Sequence, residues 1–284
     1  KGNVKSATVV FPKSSVGATG NVIMACSNLT ETVTIENAAM EPEIVDLCNF
    51  LSHIGVSFEG IGTSTLKVTG VDLNESVNIE YSIIPDRIEA GTFMIASAAT
   101  KGKVTLSNVE PSHLTSVITA LEKSGSIFYI DKNKITINSN EIINPINLIT
   151  DIYPGFPTDL QAQWITLMLK ANGTSKITDT IYLDRFTHVP ELNRLGADIT
   201  MDSNTAIING VAELFGTNVM STDIRASASL IIAALISNGV TELSRIYHID
   251  RGYENIEKKL TKLNVNIKRI NERDLWNILL QKIE

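Results

Sequence analysis

The chain has 284 residues, of which 43% are hydrophobic and 19% charged, so it can bury the core of one large domain or two ordinary ones. This composition excludes a disordered tail, a disulfide-stapled mini-protein and a collagen-like fibre. The formal net charge of −7 argues against a general nucleic-acid binder, and no run of about 18 apolar residues predicts a membrane span. Two cysteines without metal-ligand spacing fit a reducing compartment, so we expect a cytoplasmic protein. Because the chain opens at Lys1 without an initiator methionine, we expect a piece of a longer polypeptide.

Four apolar helices are predicted along the chain, each followed by a short β-branched strand. The helices are expected at residues 17–29, 90–100, 160–171 and 225–236, and the strands at 33–36, 104–107, 175–178 and 241–244. A second, amphipathic helix follows each strand and should end at Gly55, Gly125, Gly196 and Asn264. Those ends are 70, 71 and 68 residues apart, so the chain contains four copies of one unit.

After each of these ends the sequence alternates like a strand, and a polar turn such as Asp131-Lys132-Asn133 leads into a second strand. Each unit is therefore predicted as helix, strand, helix and hairpin, an α/β fold with sheets outside and the apolar first helices buried inside. An ordinary α/β sandwich with coincidental spacing is the alternative. Residues 271–284 fall outside the repeat, and they can form a short amphipathic helix that docks on the body.

Polar residues collect where each first helix begins. Helix N-termini present free N–H groups and suit phosphate or carboxylate ligands, but Ser, Thr and Asp are also the preferred capping residues. Four clusters at equivalent positions, three of them with Lys or Arg, favour a shared ligand surface over capping alone. The clusters are Lys13-Ser14-Ser15-Val16-Gly17, Asp86-Arg87-Ile88-Glu89, Pro157-Thr158-Asp159-Leu160-Gln161 and Ser221-Thr222-Asp223-Ile224-Arg225.

Arg185, Arg225 and Arg251 together can form an anion clamp, because guanidinium groups bind phosphate and carboxylate through paired donors. The alternative is that each arginine pairs with its neighbouring aspartate at the surface. His188 and His248 flank two of these Asp-Arg pairs and can support them. No metal-binding, P-loop or dinucleotide-binding signature occurs, so we expect neither a metal nor a cofactor.

Seven blocks of this sequence resemble the UDP-N-acetylglucosamine 1-carboxyvinyltransferase family. The blocks are residues 13–19, 36–46, 85–93, 156–163, 185–192, 222–230 and 245–254, and the similarity extends to about residue 269. The resemblance implies six units in two three-unit domains, each an inside-out α/β barrel with sheets around buried helices. Residues 1–84 would then be the last unit of the first domain, 85–270 a complete second domain and 271–284 a tail.

The same resemblance implies a reaction: transfer of the enolpyruvyl group of phosphoenolpyruvate to the 3-hydroxyl of UDP-N-acetylglucosamine, with release of phosphate, for peptidoglycan synthesis. Asp159 resembles the catalytic base and Arg251 the arginine that binds phosphoenolpyruvate. The implied UDP-sugar contacts are Lys13, Ser14, Ser15, Val16, Gly17, Asp159 and Ile181. The implied lining of the phosphoenolpyruvate pocket is Arg185, Arg225, Asp223, Asp86 and Arg87.

The implied partners are these two small molecules and the missing amino-terminal part of the enzyme, with no nucleic acid and no membrane. That part carries a loop cysteine in the family, and neither Cys26 nor Cys48 matches it. We therefore expect the isolated chain to be an inactive fragment or a binding module. A second alternative is the sibling enzyme that acts on shikimate phosphate, although residues 13–17 do not resemble its shikimate site.

Overall fold

The computed structural model describes residues 6–72 and 78–271, and its elements follow the predicted repeat. The first unit runs β1 (Ala7–Val10), α1 (Val16–Cys26), β2 (Thr32–Glu36), α2 (Pro42–His53), β3 (Ser57–Glu59) and β4 (Thr65–Thr69). The second runs α3 (Arg87–Ala99), β5 (Lys103–Ser107), a 3-10 turn (Pro111–Leu114), α4 (Thr115–Ser124), β6 (Ile127–Asp131) and β7 (Lys134–Asn138).

The third unit begins with β8 (Leu148–Ile149) and a 3-10 turn (Thr158–Leu160). It continues with α5 (Gln161–Met168), β9 (Thr174–Thr178), α6 (Val189–Arg194), β10 (Asp198–Asp202) and β11 (Thr205–Asn209). The fourth runs β12 (Asn218–Met220), α7 (Ile224–Leu235), β13 (Glu242–Ser244), a 3-10 turn (Ile246–Arg251) and α8 (Ile256–Lys262).

The sheets repeat one pairing pattern. In the first three units the strand after the first helix pairs antiparallel with the second strand of its own hairpin, as Val33 with Val68 and Val104 with Ile137 show. The incoming strand pairs parallel on the other side in three units: β1 with β2, β8 with β9 and β12 with β13. The predicted helix ends are confirmed as well, since Gly125 has φ +115° and the other three positions also have positive φ.

The hairpin predicted for the fourth unit is wrong for the residues that the structure describes. Residues 265–271 form no strand, and β13 pairs only with β12 there. Alternation of apolar and polar residues, as in Val265-Asn266-Ile267, is not enough to form a strand, because a strand needs a neighbouring strand to pair its backbone N–H and C=O groups. The helix predicted in the tail falls on residues 272–284, which lie outside the described residues.

Three of the first helices form the buried centre. Every residue of α5 is buried, as are eleven residues of α3 and eight of α7, because these helices are runs of small and apolar side chains. The prediction that all the apolar first helices are buried on most sides is wrong for α1. That helix buries one face of four residues and leaves Met24 53% exposed, because the described helix against which it mainly packs is α2.

The buried helices α5 and α7 run in the same direction. The side chain of Asp159, just before α5, meets Arg225 in the first turn of α7, and the hydroxyls of Thr166 and Ser229 lie 3.0 Å apart further along both helices. The amide of Gln163 also lies 3.1 Å from the hydroxyl of Thr92 in α3. The polar residues at the starts of α5 and α7 are therefore gathered at one end of the bundle.

The first unit has its own apolar cluster, from Ile23 to Val68, while a larger one spans residues 88–233. Arg87 joins the two parts through a bidentate pair with Glu43, at 3.1 and 2.9 Å. Division of the chain between residues 84 and 85 stays a prediction. Among the described residues no helix is long and apolar enough to cross a membrane.

Candidate functional site

A carboxylate held by two arginines lies where the buried helices begin. Asp159 Oδ1 accepts a hydrogen bond from Arg185 Nη1 at 2.7 Å, and Asp159 Oδ2 lies 2.9 Å from Arg225 Nη2. The Asp159 side chain is 33% exposed and that of Arg225 is 17% exposed. We call these three residues the clamp. It combines a carboxylate that solvent can reach with two cations that share one counter-ion.

Each clamp residue comes from a different place in the chain. Asp159 lies in the 3-10 turn that leads into α5, Arg225 in the first turn of α7, and Arg185 in the loop after β9. The alternative that Arg185 and Arg225 pair with the aspartates beside them in sequence is not what the structure shows. Both side chains reach Asp159, because the packing of α5 against α7 brings the helix starts together.

The pairing within the clamp shifts the pKa values of Asp159 and Arg225. Burial alone would raise the pKa of Asp159, but the charges of Arg225 and Arg185 outweigh burial and lower it. Burial alone would lower the pKa of Arg225, but the carboxylate of Asp159 raises it. Asp159 is therefore ionised at neutral pH and is a weak base while both arginines hold it.

Asp223 lies beside the clamp and caps α7. Its Oδ1 accepts from the backbone N–H groups of Arg225 and Ala226 at 2.8 and 2.9 Å, and its Oδ2 accepts from the Thr187 hydroxyl at 3.0 Å. Burial alone would raise the pKa of Asp223, but these hydrogen bonds lower it. The buried ring of His188 faces this group, and burial lowers the pKa of His188 to about 4, so the ring is neutral at pH 7.

Asp179 is a fully buried carboxylate that the sequence analysis missed. It accepts hydrogen bonds from the hydroxyls of Thr150 and Thr158 at 2.8 and 2.6 Å, and from the N–H groups of Ile181 and Tyr182 at 2.9 Å each. Because Thr158 precedes Asp159 in the chain, this network joins the loop of the predicted nucleotide contact at Ile181 to the clamp. The sequence feature that could have pointed to Asp179 is the Thr-Asp-Thr triplet at residues 178–180, where β9 ends.

The predicted UDP-sugar segment precedes α1. Ser15 caps the helix, and its hydroxyl accepts from the N–H of Ala18 at 3.3 Å. The ammonium of Lys13 has no ion-pair partner among the residues that the structure describes. Lys13, Ser15 and Gly17 are exposed, and Ser14 and Val16 are half-buried. The segment is open to a ligand, but none of the hydrogen bonds and ion pairs found among the described residues joins it to the clamp.

The other predicted phosphoenolpyruvate residues are not drawn into the clamp. Asp86 caps α3 by accepting from the N–H groups of Ile88 and Glu89. Arg87 is committed to Glu43 and lies over the ring of Tyr153, 5.6 Å from its centroid.

Arg251 ends the 3-10 turn before α8 with an exposed side chain, and within the described ranges it forms no ion pair. Its sequence neighbour Asp250 pairs instead with Arg269, at 2.7 and 3.0 Å. Arg251 is therefore available to an anionic ligand, although none of its contacts ties it to Asp159.

A groove of about 450 Å³ lies elsewhere, between the C-terminal halves of α3 and α7 and the end of α8. Its lining is mostly apolar and includes Phe93, Leu235 and Val265. None of the clamp residues lines it. No group of three His, Cys, Asp or Glu side chains that could hold a metal is found within residues 6–72 and 78–271.

These features describe an α/β protein built from repeated units, with one aspartate and two arginines paired at the starts of two buried helices. The chain belongs to the EPSP synthase (3-phosphoshikimate 1-carboxyvinyltransferase) family, which matches residues 1–260. Its fold is that of the enolpyruvyl transferases. The enolpyruvyl transferase NikO from Streptomyces tendae matches with a TM-score of 0.82 at 23% identity, over 93% of this chain and 65% of that one. EPSP synthase from Acinetobacter baumannii matches with a TM-score of 0.67 at 19% identity, over 92% and 63%.

Curated relatives are more similar in sequence. The UDP-N-acetylglucosamine 1-carboxyvinyltransferase of Chloroherpeton thalassium is 51% identical over 266 residues, which are 94% of this chain and 62% of the relative. The enzyme of the same name from Chlorobium phaeovibrioides is 49% identical over 269 residues, 95% of this chain and 63% of the relative. The chain thus spans a little under two thirds of the length of the curated relatives it matches.

Proposed function

We propose that this chain is part of an enzyme that transfers the enolpyruvyl group of phosphoenolpyruvate to the 3-hydroxyl of UDP-N-acetylglucosamine and releases phosphate. The observation that carries the proposal is the clamp, a solvent-reachable carboxylate between two arginines, in a chain about half identical to relatives of that name. The reaction needs those groups: a base for the hydroxyl proton and cations for a substrate that carries a phosphate and a carboxylate. The product would serve peptidoglycan synthesis in the cytoplasm.

Asp159 acts as the base in this proposal. Its lowered pKa makes it weak in the described arrangement, because Arg185 and Arg225 both stabilise the ionised form. An anionic substrate that takes over either arginine removes part of that stabilisation and raises the basicity of Asp159. Binding of phosphoenolpyruvate would thus prepare the carboxylate to accept the proton of the sugar hydroxyl. The sugar oxygen then bonds to the carbon that carries the phosphate while the methylene carbon takes up a proton, which converts the double bond into a tetrahedral adduct. Loss of a proton from the resulting methyl carbon, together with loss of phosphate, restores the double bond.

The arginines hold phosphoenolpyruvate. Arg251 supplies an exposed guanidinium that forms no ion pair within the described residues, while Arg185 and Arg225 lie within reach of the base. Asp223 keeps the start of α7 in place by capping it, which fixes where the Arg225 side chain emerges. Asp86 and Arg87 belong to the same lining in the proposal, although Arg87 must first exchange Glu43 for the ligand.

The UDP part binds at residues 13–17 and at Ile181. Backbone N–H groups at the start of α1 and the ammonium of Lys13 suit a pyrophosphate, because both favour negative charge. The backbone of Ile181, in the loop that Asp179 organises, contacts the nucleotide sugar.

We further propose that the partner of this chain is the amino-terminal third of the same enzyme, and that the 284 residues alone turn over no substrate. The length of the relatives supports this, because the chain spans only 62% and 63% of the two curated relatives described above. The missing third would supply the loop cysteine that neither buried cysteine, Cys26 or Cys48, replaces.

A phosphate-release assay tests the proposal. The polypeptide that includes the amino-terminal third should release phosphate from phosphoenolpyruvate with UDP-N-acetylglucosamine as the acceptor, and not with shikimate 3-phosphate. The 284-residue chain should release none and should retain weak UDP-N-acetylglucosamine binding by calorimetry. Turnover with shikimate 3-phosphate instead would refute the proposal that UDP-N-acetylglucosamine is the acceptor. Robust turnover by the isolated chain would refute the proposal that the amino-terminal third is needed for activity.

A further inference from the structure

A buried amide links the turn that carries Asp159 to the neighbouring helix α3. Gln163 is the third residue of α5, and 0% of its surface is exposed. Its Nε2 donates a hydrogen bond to the backbone carbonyl of Asp159 at 3.1 Å and lies 3.1 Å from Thr92 Oγ1 in α3. The same nitrogen lies 3.4 Å from the buried hydroxyl of Tyr253. One side chain therefore connects the backbone of Asp159 to a pair of hydroxyls on other elements.

The orientation of this amide is fixed by its neighbours. The carbonyl of Asp159 can only accept, so the NH₂ end of Gln163 must face it, which leaves Gln163 Oε1 buried without a hydrogen-bond partner within the described residues. Thr92 donates its one hydroxyl proton to the carbonyl of Ile88 at 2.9 Å, so its oxygen accepts the second amide proton. Both protons of Gln163 Nε2 therefore have acceptors, one in the turn and one in α3.

The turn around Asp159 is held from two sides. The carbonyl of Thr158 accepts from the backbone N–H of Gln161, and the hydroxyl of Thr158 donates to Asp179 at 2.6 Å, beyond the end of β9. At Asp159 the 3-10 turn passes into α5, and the carbonyl there accepts from the side chain of Gln163. Asp179 thus fixes one side of the turn, and Gln163 ties the other side to α3.

We propose that Gln163 is a positioning residue that fixes the backbone of Asp159 against α3, and so holds its carboxylate between Arg185 and Arg225 in the geometry that the proposed proton transfer requires. This inference rests on the proposed function for its purpose and on the hydrogen bonds of Gln163 for its content. An aspartate side chain is short, so a shift of its backbone moves the carboxylate with it. The contacts of 2.7 and 2.9 Å with the two arginines would then lengthen.

Gln161 provides a matched control for the loss of a buried amide. It lies in the same turn of α5 and is also 0% exposed, and neither its Nε2 nor its Oε1 has a hydrogen-bond partner within the described residues. Methionine is an unbranched side chain of similar length without an N–H donor. Gln163→Met therefore removes a hydrogen bond to Asp159, whereas Gln161→Met removes an amide that makes none.

The readout is the carboxyl titration of Asp159 in the 284-residue chain, followed by carbon-13 NMR and assigned by its loss in Asp159→Asn. The groups that face this carboxyl are the guanidinium groups of Arg225 and Arg185, whose charges lower its pKa. Gln163→Met should raise the pKa of Asp159 by about half a unit or more, because the carboxylate moves away from these charges, and Gln161→Met should leave it unchanged. An unchanged titration in folded Gln163→Met, or an equal shift in both variants, would overturn the proposal.

Thr92 gives a second test if Gln163→Met does not fold. Thr92→Val keeps the shape of the side chain and removes the acceptor that ties the amide to α3, so it should raise the pKa of Asp159 in the same direction. Thr92→Ser keeps the hydroxyl and should retain the wild-type value. An unchanged titration in Thr92→Val would then overturn the proposal.

This readout separates the inference from the proposed function. The titration needs no substrate, so the longer enzyme can fail to turn over UDP-N-acetylglucosamine while the Asp159 titration still responds to Gln163. Where turnover is found, Gln163→Met should lower kcat and move the acid limb of the kcat profile to higher pH, because Asp159 must be ionised to act. A merely structural role would lower the unfolding midpoint and leave that limb in place, which would contradict the proposal.

Discussion

Replacing Asp159 with asparagine keeps the size of the side chain and removes the charge that Arg185 and Arg225 share. Loss of one partner from a buried ion pair costs about 3–5 kcal/mol, whereas an exposed pair contributes about 0–1 kcal/mol. The Asp159 side chain is 33% exposed and the two arginines are 24% and 17% exposed, so the clamp falls between these limits. We expect Asp159→Asn to lower the free energy of unfolding of the 284-residue chain by about 2 kcal/mol at neutral pH.

The dependence of this loss on pH follows from the lowered pKa of Asp159. A group whose pKa is lower in the folded state contributes stability above its unfolded value, which is 3.8 here, and loses it as the pH falls through the folded value. The difference between the wild type and Asp159→Asn should therefore be constant from pH 5 to 7 and shrink below about pH 4.

Urea unfolding followed by circular dichroism measures this difference, with Asp184→Asn as the control. Asp184 is the exposed neighbour of Arg185 and forms no ion pair within the described residues, so its variant should match the wild type. Added inorganic phosphate should stabilise Asp159→Asn more than the wild type, because the two arginines then lack a counter-ion. Equal stability of Asp159→Asn and the wild type, together with no differential effect of phosphate, would refute the claim that the Asp159 carboxylate is the shared counter-ion of both arginines.

Three further predictions concern protonation and packing. Because the pKa of buried His188 is about 4 when folded and 6.5 when unfolded, the unfolded state binds the proton first as the pH falls. Between pH 6.5 and 4 the wild type should lose about 3 kcal/mol more stability than His188→Gln, measured by urea unfolding, and parallel curves would contradict the buried neutral ring. A Cβ at Gly210 would overlap the carbonyl oxygen of Ala171, so Gly210→Ala should cost about 2 kcal/mol or more in thermal unfolding. At Gly20, inside α1, a Cβ would have ordinary contacts with Leu47 at 3.7 Å, so Gly20→Ala should instead add about 0.5–1 kcal/mol.

The repeat was predictable from the sequence because it depends on local signals. Runs of small apolar residues defined the buried helices, and each predicted start lies within a few residues of the observed one. Positions such as Gly125 and Asn264 ended the second helices because they adopt positive φ, a property of the residue itself. The fourth hairpin was predicted wrongly for the described residues, because strand formation depends on a partner, which alternation within one segment does not provide.

The candidate site was only partly predictable. Its residues came from the resemblance, but their pairing depends on how three helices pack. Nothing in the local sequence shows that Arg185 pairs with Asp159 and not with its sequence neighbour Asp184. Nor does it show that Arg87 pairs with Glu43, which lies 44 residues earlier.

The most direct test of the account is phosphate release from phosphoenolpyruvate and UDP-N-acetylglucosamine by the longer polypeptide, compared between the wild type and Asp159→Ala. The account predicts that the variant loses most of its turnover and keeps UDP-N-acetylglucosamine binding, because residues 13–17 and the backbone of Ile181 are unchanged. Near-normal turnover by Asp159→Ala would remove Asp159 from the catalytic role and contradict the account.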